Sequence, residues 1–147
     1  MPTGRKTILI AEDSEDDIFF IQRGFVKAGL DYQLRFVRNG RQVMDYLSQK
    51  APFEDVKEFP VPALLLLDLK MPVVDGLEVL AWLRGESSLR GLPVLVHSGS
   101  ELKEDQDQAR ALGAQGYYFK TANPEETISI FKEIAHRWLR NDGNVLV

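Results

Sequence analysis

Short apolar runs alternate with amphipathic stretches along the whole chain. The first run, Thr7–Ala11, stops at Glu12 and Asp13 and has the unbroken apolar character of a strand covered on both faces. Ser14 followed by Asp17 is a helix-start signal, and Ile18, Ile21, Phe25 and Ala28 then recur at helical spacing until Gly29. Phe19 and Phe20, inside that stretch, are assigned to core and helix packing. Residues 32–37 alternate, with Leu34 and Phe36 on one face and Gln33 and Arg35 on the other, as in a half-exposed edge strand. Asn39-Gly40 opens a short helix over 42–48, and 49–62, with three prolines, reads as a long acidic loop anchored by Phe53 and Phe59.

The second half repeats the alternation. Residues 63–67 are the most apolar run and end at Asp68, which marks the central strand. Pro72 and Asp75-Gly76 keep the next segment open before a helix over 77–84. A strand over 92–97 ends at Ser98-Gly99-Ser100, a polar helix over 101–112 stops at Gly113, and Gly116–Phe119 is a short strand ending at Lys120. Asn123-Pro124-Glu125-Glu126 starts a last helix running to about Arg140, with 141–147 as a tail. Trp138 and Leu139 belong either to the core or to a dimer contact. Five strands alternating with five helices make a doubly wound parallel α/β sheet, whose ligands sit beyond the carboxyl ends of the strands.

That edge gathers Glu12 and Asp13 from the first strand, Asp68 from the third, Ser98 from the fourth and Lys120 from the fifth. Two unit charges ~4 Å apart repel by ~4 kcal/mol at an effective dielectric of ~20, so three carboxylates demand positive charge nearby. Lys120 supplies one; a hard cation such as Mg²⁺, which prefers oxygen ligands and phosphate, supplies more. Asp68 is the natural nucleophile for a phosphoryl group, and Ser98 can donate a hydrogen bond to the product. Taken singly these residues say little. Acids at a helix start are favoured by only ~0.3–1 kcal/mol, Ser-Gly-Ser is ordinary turn chemistry, and a lone lysine is usually solvated. His97, next to Ser98, points to the other side of its strand and reads as structural or partner-facing, not as a ligand.

Composition narrows the class. The 147 residues fit a single domain, 44% hydrophobic and 27% charged, with no cysteine and only two histidines. A disulfide framework, a cysteine nucleophile and a histidine-rich metal site are excluded. A net charge of −4 without a basic block argues against nucleic-acid binding, and no apolar run is long enough to span a membrane. A cytoplasmic protein is the expectation.

Glu12-Asp13-Ser14, Asp68 within Leu66-Leu67-Asp68-Leu69-Lys70-Met71-Pro72, Asp75-Gly76, Ser98-Gly99, Gly113-Ala114 and Tyr117-x-x-Lys120 together resemble the receiver domain of two-component response regulators. The resemblance covers residues 6–140, so that 1–147 is one receiver domain. It implies a flavodoxin-like sheet of order 2-1-3-4-5. It implies phosphorylation of Asp68 by a histidine kinase, with Mg²⁺ held by Asp13, Asp68, Glu12 through water, and the Lys70 carbonyl. Lys120 would pair with Asp68 or its phosphoryl oxygen. Ser98 and Tyr117 would switch inward, with readout on the fourth helix, fifth strand and fifth helix. The long loop and the lack of an output domain resemble the small regulators paired with bacterial and cyanobacterial phytochromes. A homodimer through the last helix is a further expectation. The chain departs from the family at Thr121, where proline usually follows the lysine; the Lys120–Thr121 bond is expected to be trans.

Two rival classes remain. A receiver-fold adaptor independent of phosphorylation is favoured only by the missing proline. An enzyme on a similar sheet fits less well. An FMN site needs a neutral phosphate-binding loop where Glu12 to Asp17 would repel it, and Asp13-Ser14-Glu15 only faintly resembles the D-x-D of haloacid-dehalogenase-type phosphatases. No ATP-binding loop is present, so the phosphodonor must be external. Lys70 and Ser100, at positions that tune hydrolysis in the resembled family, offer no carboxylate or amide to orient water. Autodephosphorylation is therefore expected to be slow; a phosphoryl half-life as short as that of fast chemotaxis-type receivers would contradict this.

Overall fold

The computed structural model describes residues 5–139. Five strands, β1 (Thr7–Ala11), β2 (Gln33–Val37), β3 (Leu64–Leu67), β4 (Val94–Ser98) and β5 (Gly116–Phe119), form one parallel sheet of order β2-β1-β3-β4-β5. The doubly wound sheet and its strand order match the sequence expectation. Helices α1 (Glu15–Lys27) and α5 (Pro124–Ile134) pack together, and α2 (Gly40–Leu47), α3 (Gly76–Arg84) and α4 (Lys103–Ala111) pack in sequence.

The strand period divides the core in two. Leu9, Ala11, Leu65, Leu67, Val94 and Val96 face one hydrophobic cluster, shared with α2, α3 and α4. Ile8, Ile10, Leu64, Leu66 and Leu95 face the other, with Ile21, Phe25 and Phe131 of α1 and α5. The three inner strands are therefore buried on both sides, which is why they read as continuous apolar runs. The edge strand β2 is only partly covered, and its Leu34 and Phe36 share one face as expected. Register then does the rest. Ala11 pairs with Leu67, Leu67 with Val96, and Ser98 with Phe119, so the residues just past β1, β3 and β5 emerge side by side.

Local signals fix the helix starts. Ser14 Oγ accepts from the Asp17 N–H at 3.2 Å, Asn39 caps α2, and Asn123 caps α5 with Pro124 at its first position. Strand β4 begins at Val94, two residues later than the pattern implied, after Pro93, which has no N–H for the ladder. Helix α4 starts at Lys103 rather than Glu101. The 49–62 loop is anchored as expected: Phe53 and Phe59 pack on Tyr46, whose hydroxyl donates to the Pro60 carbonyl at 2.8 Å.

One expectation needs correction and one open alternative is settled. Phe19 and Phe20 are 55% and 58% exposed, stacked edge to face on the outside of α1. The buried face is defined by Ile18, Ile21, Gly24 and Phe25, and a second aromatic pair does not fit its angular width. The last helix widens into a π turn at Ala135–Leu139. That turn carries Leu139 into the core and brings the Trp138 indole N–H to the Tyr118 hydroxyl at 3.4 Å. Leu139 is thus core rather than a dimer contact. Arg140 and the proposed tail 141–147 lie outside the described residues.

Helix α3 presses directly on the strand end that carries Asp68. Asp75 and Glu78 form a reciprocal capping box, and the Gly76 N–H donates to the Leu69 carbonyl at 2.9 Å. A Cβ on Gly76 would lie 2.5 Å from the Asp68 carbonyl oxygen and 2.7 Å from Leu69 Cα. Both are backbone atoms that cannot rotate away. Gly76→Ala is therefore expected to destabilise the fold by about 1–3 kcal/mol, by overpacking, in urea unfolding. A variant as stable as wild type would show that the α3 start does not fix this strand end.

Candidate functional site

Of the five strand-end positions named from sequence, four come together at the carboxyl edge of the sheet, and Ser98 stands apart from them. Glu12, Asp13 and Asp68 each place a carboxylate oxygen within 4.8 Å of the others. Glu12 and Asp68 are 1% and 5% exposed, whereas Asp13 is open to solvent. Lys120 reaches into this group from β5. Its Nζ lies 2.7 Å from Glu12 Oε1 and 3.0 Å from Asp68 Oδ2. The backbone contributes as well: the Lys70 N–H donates to Asp68 Oδ1 at 3.3 Å and the Ser14 N–H to Glu12 Oε2 at 3.2 Å.

These contacts do not fully offset the burial of charge. Burial pushes the Glu12 carboxyl up to about 7, reinforced by the Asp68 charge and opposed by the Lys120 hydrogen bond and charge. Burial alone would lower the Lys120 ammonium; hydrogen bonds to Asp17 and Glu12 and the charge of Asp68 outweigh it and hold the group above its ordinary value. Three clustered carboxylate oxygens facing a single lysine are thus undersupplied with positive charge. Hard oxygen donors, partly open to solvent at Asp13, suit a divalent cation such as Mg²⁺.

Ser98 is fully buried at the end of β4, and its Oγ accepts from the Ser100 N–H at 3.1 Å rather than facing the acids. Tyr117 is tied to the same loop: its hydroxyl donates to the Ser100 carbonyl at 2.9 Å, and its ring meets Phe119 edge to face. The Lys70 side chain turns away from the acids toward Asp105 of α4, at 3.5 Å. Asp105 also accepts from Ser100 Oγ at 2.6 Å, which with Lys70 holds its carboxyl below the usual range despite burial. The polar spacing of α4 gave no sign that this aspartate, 8% exposed, is buried. His97 lies edge-on against Phe131 and is buried, which lowers its imidazole to about 4, so it is a neutral structural residue. The Lys120–Thr121 bond is trans, as expected. The Thr121 hydroxyl donates to Glu126 at 2.7 Å and accepts from the Asn123 N–H at 3.0 Å, bracing a loop that lacks proline.

Sequence reasoning missed one contact at the centre. Asp17 was assigned only to the start of α1, yet its Oδ2 lies 2.7 Å from Lys120 Nζ.

The family model described as "Response regulator receiver domain" matches residues 8–132, and the chain belongs to that family. Response regulator Rcp1 of Synechocystis sp. is 32% identical over 134 residues, which are 91% of this chain and 89% of Rcp1. A solved structure of its Mn²⁺-bound form superposes with a TM-score of 0.81 at 30% identity, covering 96% of this chain and 99% of that one. The response regulator RPA3017, from red light signaling of R. palustris, superposes with a TM-score of 0.88 at 32% identity, over 97% of this chain and 99% of that one. The phosphorylated cyanobacterial phytochrome response regulator RcpA gives 0.83 at 33% identity, over 92% and 95%. The chain is thus a two-component signalling protein. Among the described residues no helix is long and apolar enough to cross a membrane.

Glu12 and His97 make opposite contributions to stability with pH. Glu12 keeps its proton to about 7 when folded, against 4.5 when unfolded, so the stability it gives below pH 4.5 is lost as pH rises through 7. His97, neutral in the fold down to about 4, contributes stability that is present above 6.5 and lost as pH falls through 4. The difference between Glu12→Gln and wild type isolates the first effect. The variant's advantage in melting temperature is expected to grow by a few degrees between pH 5 and 7.5 in metal-free buffer, and to shrink again in millimolar Mg²⁺. A constant difference across that range would show that Glu12 is not strained by burial.

Proposed function

We propose that this protein is a phosphoacceptor switch in which Asp68 accepts a phosphoryl group from a histidine kinase. The reading is carried by the convergence of Glu12, Asp13 and Asp68 with Lys120 at aligned strand ends. An Asp68 carboxylate oxygen attacks phosphorus, the phosphorus–nitrogen bond of the phosphohistidine breaks, and the imidazole leaves with the electron pair. The product is an acyl phosphate. Asp68 is suited to this role because the Lys70 N–H and Lys120 hold its two oxygens in defined directions. Glu12, Asp13, Asp68 and the Lys70 carbonyl would hold Mg²⁺, which when bound offsets charge on the transferring oxygens. The Mn²⁺-bound form of Rcp1 supports a divalent cation in this family. Lys120 adds the second positive charge. The only chemistry is on the protein itself.

Ser98 and Tyr117 serve as the switch. Ser98 turns its hydroxyl from the Ser100 N–H toward the new phosphoryl oxygen, and Tyr117 follows the loop to which its hydroxyl is bonded. The readout is a changed surface on α4, β5 and α5. The likeness to RcpA and RPA3017 supports a phytochrome-type kinase as donor, and with such a donor the switch would act in the cytoplasm. Pairing of two copies through α5 would use its exposed residues.

The test is intact-protein mass after incubation with acetyl phosphate and Mg²⁺. One phosphoryl group is expected on wild type, and none without Mg²⁺ or on Asp68→Asn. A wild-type protein left unmodified by both acetyl phosphate and kinase would favour an adaptor that acts without phosphorylation.

A further inference from the structure

Lys120 has three carboxylate partners, and they are not equivalent. Glu12 and Asp68 belong to the acid cluster completed by Asp13, whereas Asp17 lies outside it. A cation drawing on the cluster would therefore compete with Lys120 for two of its three partners, and would also repel the ammonium. Asp17 is the one partner outside that competition.

Asp17 is the third residue of α1, where its backbone N–H is satisfied by Ser14 Oγ at 3.2 Å. The cap fixes the main chain and leaves the carboxylate to reach across to Lys120 Nζ at 2.7 Å. From the other side, Thr121 braces the backbone after Lys120 through Glu126 and Asn123. That brace does not restrain the rotatable side chain of Lys120. A salt bridge at the tip does. Its ends are 20% and 37% exposed, so it is sheltered more than a surface pair but can still be rearranged.

We propose that Asp17 is a positioning residue that holds the Lys120 ammonium beside Asp68 while a divalent cation engages the acid cluster. This rests on the phosphoacceptor reading for its consequence in phosphoryl transfer. The acyl phosphate no longer presents the free Asp68 carboxylate to Lys120, and the tether to α1 keeps the ammonium within reach of the phosphoryl oxygens instead.

The test uses the full chain as wild type, Asp17→Ala and Ser14→Ala. Each is treated with an amine-acylating reagent with and without millimolar Mg²⁺, and labelling is followed by peptide mass mapping. The exposed Lys27 and Lys57 serve as internal references. In Mg²⁺, Lys120 of Asp17→Ala is expected to label at least threefold faster than in wild type with the references unchanged, and phosphorylation of Asp68 in that variant by acetyl phosphate to slow at least fivefold. Ser14→Ala, which loosens the start of α1 but keeps the Asp17 carboxylate, should lower the melting temperature and change both rates far less than Asp17→Ala does. Labelling of Lys120 at the wild-type rate in Asp17→Ala, or an unchanged phosphorylation rate, overturns the proposal. Should wild type accept no phosphoryl group, the phosphoacceptor reading fails on its own, and the labelling alone decides whether Asp17 holds Lys120.

Discussion

A single ammonium set among buried carboxylates is the constraint on which the rest of this molecule depends. Two acids, Glu12 and Asp68, sit at the tips of apolar strands and are almost wholly removed from water. Charges so deeply buried are costly without a partner. Lys120 offsets part of that cost, and it arrives from the edge strand β5, two strands away from β3 and three from β1. The pocket therefore exists only when β1, β3, β4 and β5 are all in register. The hydrophobic clusters on the two faces bury these strands, and the charged residues that end their apolar runs limit the register, since a slip along the strand would carry a charge into the core or an apolar side chain out of it. Core packing and site chemistry are two results of the same pairing.

The compensation is incomplete, and the shortfall is useful. Glu12 is held close to neutrality in pH by burial, so its ionisation is poised to respond to any added positive charge. A binding site for a hard cation is in this sense a place where the fold has accepted local destabilisation. His97, on the other face of β4, shows the contrasting solution: it is buried against Phe131 as a neutral ring and makes no demand for a counter-charge.

Much of this was legible in the residues. The alternation of strands and helices, the five strand-end side chains and the helix caps at Ser14, Asn39 and Asn123 follow from short-range signals: apolar runs, punctuation by Gly and Pro, and side chains that accept backbone N–H groups. The order of the strands follows only from the family resemblance. What escaped was set by tertiary geometry. Asp17 carries the same local signature whether its side chain faces solvent or Lys120. Asp105 occupies a helix of polar composition, and only the approach of Ser100 and Lys70 makes it a buried partner. Phe19 and Phe20 are hydrophobic yet exposed, because hydrophobicity alone does not decide burial. The angular width of the buried face of α1, already filled by Ile18, Ile21 and Phe25, leaves them outside. The π turn at Ala135–Leu139 has no signature in its residues that we can identify.

Ser100 is bonded in three directions at once. Its N–H goes to Ser98, its hydroxyl to Asp105 and its carbonyl receives Tyr117. These three partners stand on β4, α4 and β5. Any displacement that breaks one bond shifts the peptide that carries the other two, so a loop moved part-way satisfies fewer polar groups than the one seen here. Under the proposed switch the loop would then act as a toggle rather than a dial, and a signal would lie in the fraction of molecules in each shape rather than in how far any one of them has moved.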